Sequence, residues 1–167
     1  MTIKNLEDLY LDQIKDIHSA LKQSRPVVED MAKAAKSSDL RKALENSAEG
    51  IDRGMKTLAD IAQAHNTSPG GEHCKGMEGL AGEARKHGLE TKFADDDAQD
   101  AAIITQYQRM AHYAIAGYGC VRTFARKLGH QDQSDQLQTE LDSVWDGDRH
   151  MTELAEGGIN RAAMDGK

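Results

Sequence analysis

The sequence predicts an all-α protein, an antiparallel bundle of four long helices with a short extra helix in its crossover connection. Two observations carry that prediction. Along Ala98 to Leu128, the residues Ile104, Tyr107, Ala111, Ala114, Tyr118, Val121, Ala125 and Leu128 recur at alternating steps of three and four, the spacing that holds one stripe of a helix against a partner. The composition agrees: with only 2 prolines and 4% aromatic residues, the chain is dominated by Ala, Leu, Lys, Glu, Asp and Gln, as helical proteins are. A helix of about thirty residues would extend roughly 45 Å. No helix that long is stable unless others pack along it.

The first helix is predicted over Ile3 to Lys36, on the stripe Tyr10, Ile14, Ile17, Leu21, Ser24, Val28, Met31 and Ala35. Pro26 lies inside it and removes a hydrogen bond to the Lys22 carbonyl. The pattern stays in phase on both sides, so a kink is expected rather than a stop. Ser38 or Asp39 is placed to cap a second helix over Leu40 to His65, which carries Leu44, Ala48, Ile51, Met55, Leu58 and Ala62. Asn66 to Gly71 reads as loop. A weaker helix follows from Glu72 to about His87, with Cys74, Met77, Leu80, Ala81 and Ala84 on its apolar side. Asp95, Asp96 or Asp97 should cap the central helix and favour its positive end, and Gly129 should close it. The last helix is expected over Ser134 to Glu156 on Leu137, Leu141, Val144, Asp148, Met151 and Ala155, leaving 157–167 as a weakly ordered tail. The whole chain, 1–167, reads as one domain. The segment between Asn66 and Asp97 is long enough to cross from one end of a bundle to the other, and a four-helix bundle with one crossover is the ferritin-like arrangement.

Charge and motifs exclude several classes of function. The net charge is −7, from 28 acidic and 21 basic residues, which argues against a nucleic-acid binder with its clustered basic face. Met1 to Tyr10 lacks an apolar core of signal-peptide length and no window approaches a membrane span, so a soluble, cytoplasmic protein without a membrane partner is expected. Cys74 and Cys120 have no metal-type spacing and read as reduced, helix-packing thiols. No glycine-rich loop of a phosphate-binding type is present, and no cysteine–histidine spacing points to a nucleophile.

A ferritin-like bundle often carries a two-metal site at its midpoint, built from inward carboxylates and E-x-x-H pairs. The second helix offers Glu49 and Asp52, three residues apart and so on one face, and the last helix offers Asp148. The first offers Leu21 and the central helix Ala111 and Ala114, none of them a ligand.

The segments CKGMEGL, DAAIITQYQRMAHYAIAGYG and KLGH, followed by LQTELD and MTELA, resemble the YciE/YciF family of bacterial stress-response proteins over about residues 4 to 156. The resemblance implies a ferritin-like, rubrerythrin-related bundle, commonly a homodimer, with a potential di-iron site. Most of that site is replaced. The family's first-helix pattern A-E-x-Q is here Ala20-Leu21-Lys22-Gln23, and E-E-T-[EH] is Glu49-Gly50-Ile51-Asp52. Its E-H-Y-E-I-A is Ala111-His112-Tyr113-Ala114-Ile115-Ala116, and its E-E-K-A-x-D is Ser143-Val144-Trp145-Asp146-Gly147-Asp148. A buried carboxylate without a metal or partner is costly, so loss of the metal would relieve these positions together.

What remains as a metal-ligand set is Glu49, Asp52, His112 and Asp148. Each also has a plain reading. Glu49 and Asp52 fit a hydrated helix edge, His112 a structural hydrogen bond, and Asp148 a core partner among Arg, His or Tyr. His18 lies near the first-helix stripe and could supply a ligand; the His73-Cys74 pair could bind a stray metal, with a surface position the better reading. Trp145 adds bulk near the old site or offers a dimer contact. Two functional readings follow. The first is a stress-associated, non-catalytic binding or structural protein with a degenerate di-metal site and no cofactor, acting as a homodimer or with another protein partner. The alternative is a metal-dependent oxidoreductase or metal-binding protein that holds iron, manganese or zinc on the reduced ligand set, since one divalent ion needs only three or four such groups.

Overall fold

The computed structural model describes residues 2–165, and these form helices joined by turns and loops. Helix α1 spans Leu6–Ala34, α2 Ser38–Ala64, α3 Lys75–Ala84, α4 Asp96–Leu128, α5 Gln131–Leu154 and α6 Asn160–Asp165. The chain is an all-α bundle of four long helices, α1, α2, α4 and α5, with α3 in the long connection. The predicted stripe of α1 is buried at every position from Tyr10 to Ala35. That of α4 is buried from Ile104 to Ala125, with Leu128 half-buried at the end.

Side-chain pairs fix the helix directions. Arg25 meets Asp52 and Glu7 meets His65, so α1 and α2 run antiparallel. Asp16 meets Tyr113 while Asp100 meets the backbone at Lys36, so α1 and α4 do too. Thr57 with Glu140 and His65 with Gln133 make α2 and α5 antiparallel. It follows that α2 and α4, though successive long helices, run parallel. The chain leaving α2 must therefore travel back along the bundle before α4 can begin, and α3 packs against α1 and α4 on that journey.

The ends are set locally. Asn5 caps α1 by accepting from the Asp8 amide, and Asp95 caps α4 by accepting from Ala98. Ser37, one residue earlier than expected, caps α2 through the Leu40 amide. Asp100 explains the tightness of that corner: fully buried, its carboxylate accepts from the amides of Lys36 and Ser37 at 2.9 and 2.7 Å. Cys74 caps α3, its sulfur accepting from the Met77 amide. Gly129 ends α4 in the left-handed conformation, φ 85°, which glycine adopts without a Cβ clash. Pro26 is accommodated inside one continuous helix.

Two differences from the sequence reading stand out. A π-helical turn, Arg85–Glu90, extends α3. A second, Ala155–Ile159, follows α5 and leads into α6. The segment expected to be a weakly ordered tail is therefore helical as far as Asp165, and its Ile159 is buried in the core; residues 166–167 lie outside the described ones. Among the described residues, no helix is long and apolar enough to cross a membrane.

Candidate functional site

At the midpoint of the bundle the four long helices line a partly open cavity of about 290 Å³. Its wall is built from the core stripes themselves. Leu21 and Val28 come from α1, Ala43, Gly50 and Ile51 from α2, Tyr107, Met110, Ala111, Ala114 and Tyr118 from α4, and Val144, Gly147 and Met151 from α5. Ala111 and Ala114 leave room because a methyl group reaches less far than any other side chain with a Cβ. Three of the polar groups at the edge are engaged, while Asn46 and Arg53 also line it. The Tyr107 hydroxyl donates to Ser47 at 2.9 Å, Glu140 accepts from Thr57 at 2.7 Å, and Asp146 is paired with Arg149. Tyr118 lays its hydroxyl against Gly54, where a Cβ would collide with it. Burial pushes the phenols of Tyr107 and Tyr118 above their ordinary range, with the charges of Asp148 and Glu140 as smaller contributions in the same direction.

Leu21, Ala111, Ala114, Ser143 and Val144, five of the positions at which the resemblance expects glutamates, all line this one cavity. So does Gly50, in the second glutamate slot of E-E-T-[EH], whereas the acid kept beside it, Glu49, is exposed. Helical spacing explains the difference, because adjacent residues are turned about 100° apart. Asp52 is half-exposed on the outer face of α2, where both its oxygens accept from Arg25 Nε at 3.0 Å.

His112 and Asp148 do come together, but away from Glu49 and Asp52. The imidazole Nε2 lies 3.1 Å from Asp148 Oδ2, with the His112 side chain 55% exposed and that of Asp148 10%. Trp145 stands edge-on to the His112 ring at 5.7 Å. The other carboxylate oxygen, Oδ1, is buried without a hydrogen-bond partner. The expected ligand set is thus split into an Arg25–Asp52 pair, a His112–Asp148 pair and a solvent-facing Glu49. Asp148 thus has a histidine as its partner. His18 is half-buried on α1, and His73 pairs with Glu78 at the surface.

Cys74 and Cys120 are both free, but only Cys74 packs inside; Cys120 is exposed, contrary to the helix-packing role expected for both. The Cys74 sulfur sits 2.9 Å from the Tyr113 hydroxyl, which donates to Asp16 at 3.0 Å. Among the described residues, three metal-ligating side chains with ligand atoms all within 4.8 Å occur at one end of the bundle, in Glu7, His65 and His130. Sequence reading did not single these out. They are far apart in the chain and belong to three different helix termini, so no local spacing marks them.

The comparisons with known proteins match this architecture nearly end to end. Residues 5–164 match the family described as a domain of unknown function, DUF892. The chain belongs to that family. It is 28% identical to Protein YciF of Escherichia coli K12 over 164 residues, 98% of each chain. The crystal structure of the E. coli stress protein YciF superposes with a TM-score of 0.87 at 27% identity, covering 95% of this chain and 99% of that one. YcfI of Rhodopseudomonas palustris, named as a candidate structural protein, gives 0.83 at 29% identity over 90% of this chain and 94% of its own. The resemblance read from the motifs and the assignment to the YciF-type family agree.

Proposed function

We propose that this YciF-family protein works by association, as a stress-related binding or structural protein whose bundle has exchanged a dinuclear metal centre for an apolar cavity. One observation carries the reading. Leu21, Gly50, Ala111, Ala114 and Val144 converge on a single cavity of about 290 Å³, and each occupies a slot where a carboxylate would be needed to bridge and neutralise two ions. The residues present do not fit a dinuclear centre: Asp52 is held by Arg25, Glu49 faces solvent, and the carboxylates at the cavity rim are taken by Thr57 and Arg149. The name of the R. palustris relative points the same way, and the E. coli relative supplies the stress setting.

A homodimer is the assembly we propose, from the habit the family resemblance implies and from Trp145, a large apolar side chain left 37% exposed beside His112. A cytoplasmic location fits a chain with free thiols and no membrane-spanning helix among its described residues. The test loads the purified protein anaerobically with ferrous iron and then admits oxygen. Neither ferroxidase activity nor the absorption of an oxo-bridged diferric centre is expected, and light scattering should report twice the chain mass. Two irons per chain, lost on Glu49→Ala, would overturn the reading in favour of a metal-dependent oxidoreductase.

A further inference from the structure

Where α1 begins, α2 ends and α5 begins, three side chains from three helix termini meet. Glu7 lies in the first turn of α1, His65 terminates α2 and His130 precedes α5. Glu7 Oε1 is 2.9 Å from His65 Nδ1, and Glu7 Oε2 is 3.2 Å from His130 Nε2. The two imidazoles stand edge to face with centroids 4.9 Å apart. The side chains are 37%, 14% and 31% exposed in the order Glu7, His65, His130, sunken yet within reach of water.

Behind them sits a second layer that fixes how His65 is used. The Tyr10 hydroxyl, fully buried, donates to Gln133 Oε1 at 2.8 Å, and the same oxygen lies 3.1 Å from His65 Nε2. An amide oxygen only accepts, so Nε2 must carry the proton. In a neutral imidazole the lone pair is then on Nδ1, aimed at the Glu7 carboxylate. Two electron-rich atoms 2.9 Å apart need a cation between or beside them, either a second ring proton or a metal ion. The arrangement around His65 matches what metal-bound histidines use, the far N–H held by a carbonyl-type oxygen.

We propose that Glu7, His65 and His130 form a mononuclear site for a divalent first-row transition ion of the zinc type. His65 binds through Nδ1, His130 through Nε2 and Glu7 through its carboxylate, and water completes the shell. The donor set decides the class of ion: two imidazoles and one carboxylate suit zinc and its neighbours better than magnesium or calcium, which take oxygen shells. Two donors about 2.0–2.1 Å from one tetrahedral ion stand about 3.3 Å apart, close to the 2.9 and 3.2 Å from Glu7 to each histidine, and all three ligand atoms lie within 4.8 Å of one another. The ion would tie three helix ends together, and any ligand that binds only the folded chain raises its stability. This site is separate from the mid-bundle cavity and does not depend on the reading given for it.

The experiment strips the full-length protein with chelator and titrates it with Zn²⁺, and with Co²⁺ as a spectroscopic stand-in. One ion per chain is expected, with intense tetrahedral cobalt bands and a rise in thermal midpoint on adding zinc. His65→Ala and His130→Gln should each weaken binding at least tenfold and abolish the thermal shift. Gln133→Ala, which touches only the supporting layer, should cost 10–100-fold, and Glu49→Ala should change nothing. Circular dichroism of each variant checks that the bundle still forms. Absence of saturable binding by the folded wild-type chain would overturn the proposal, as would stoichiometric binding that survives both histidine changes. A failure of the mid-bundle reading looks different, being two irons sensitive to Glu49 rather than one zinc sensitive to His65.

Discussion

At the scale of single residues, chemistry follows neighbours that lie far away in the chain. Cys74 and Cys120 look alike in the sequence, yet their thiols have opposite prospects. Burial, as the largest effect, pushes the Cys74 thiol up, and the Asp16 charge adds to it, while the Met77 amide that donates to the sulfur pulls the other way. Thiolate, the reactive form, is therefore scarce at Cys74 and its sulfur is covered. Titration of the native protein with a thiol reagent should show one fast group and a second that reacts only on unfolding, with Cys120→Ser removing the fast phase. Two equally fast thiols would contradict the placement of Cys74. The same dependence on distant partners explains why the ligand set was only partly legible. Glu49 and Asp52 share a helix face in the sequence, but which face is turned inward is decided by Leu44, Leu58 and Ala62 around them, and that face is not theirs. Asp148, by contrast, lay on its own apolar stripe, so its need for a partner could be read directly, and His112 meets it.

At the scale of elements, the 3,4 spacing was the most dependable signal, because the hydrophobic gain of a buried stripe outweighs the local preference of any one residue in it. It located α1, α2, α4 and α5 to within a few residues and survived Pro26. It failed where the helical period itself changes. The π turn Ala155–Ile159 adds a residue to the turn and throws the following pattern out of register, so Ile159 could not be recognised as core and α6 was read as a tail. Off the main stripe of α4, Ile103 and Met110 are also buried, while Cys120 is exposed. The stripe can be tested directly. Val121, wholly buried in the core, should not tolerate aspartate: Val121→Asp places an unpaired carboxylate among apolar side chains and should cost about 3 kcal/mol or more. Arg109, exposed on the opposite side of the same helix, should shift stability by no more than about 0.5 kcal/mol when changed to alanine. Equal, small effects in thermal unfolding would mean that the inward face of α4 has been assigned wrongly.

At the scale of the whole molecule, burial of polar groups ties stability to pH and cavity shape to metal chemistry. All 4 tyrosines have phenols raised above their ordinary value, in each case chiefly by burial. Below about pH 10 both the folded and unfolded chains keep these protons, so stability is unaffected. Above it the unfolded chain releases them first, and stability must fall as pH rises. Alkaline titration should therefore show tyrosinate absorbance appearing together with loss of helix, not before it; a tyrosinate signal preceding unfolding would contradict the burial. The cavity leads to the most demanding prediction. Glutamates at Leu21, Gly50, Ala111, Ala114 and Val144 would project into one cavity of about 290 Å³ whose mostly apolar lining offers them Arg53 as a cation. Without metal, several carboxylates crowded in an apolar pocket repel one another and lose hydration, so the five-site variant should melt well below the parent. With ferrous iron or manganese, the same carboxylates gain the cations they need, and the melting point should recover by an amount that grows with metal concentration. The parent chain should show no such mid-bundle gain, and the comparison is cleanest in a His65→Ala, His130→Gln background, where the end of the bundle cannot contribute. A five-site variant that unfolds alike with and without metal would show that the cavity has lost more than its ligands: the helices would no longer hold the spacing a dinuclear centre requires.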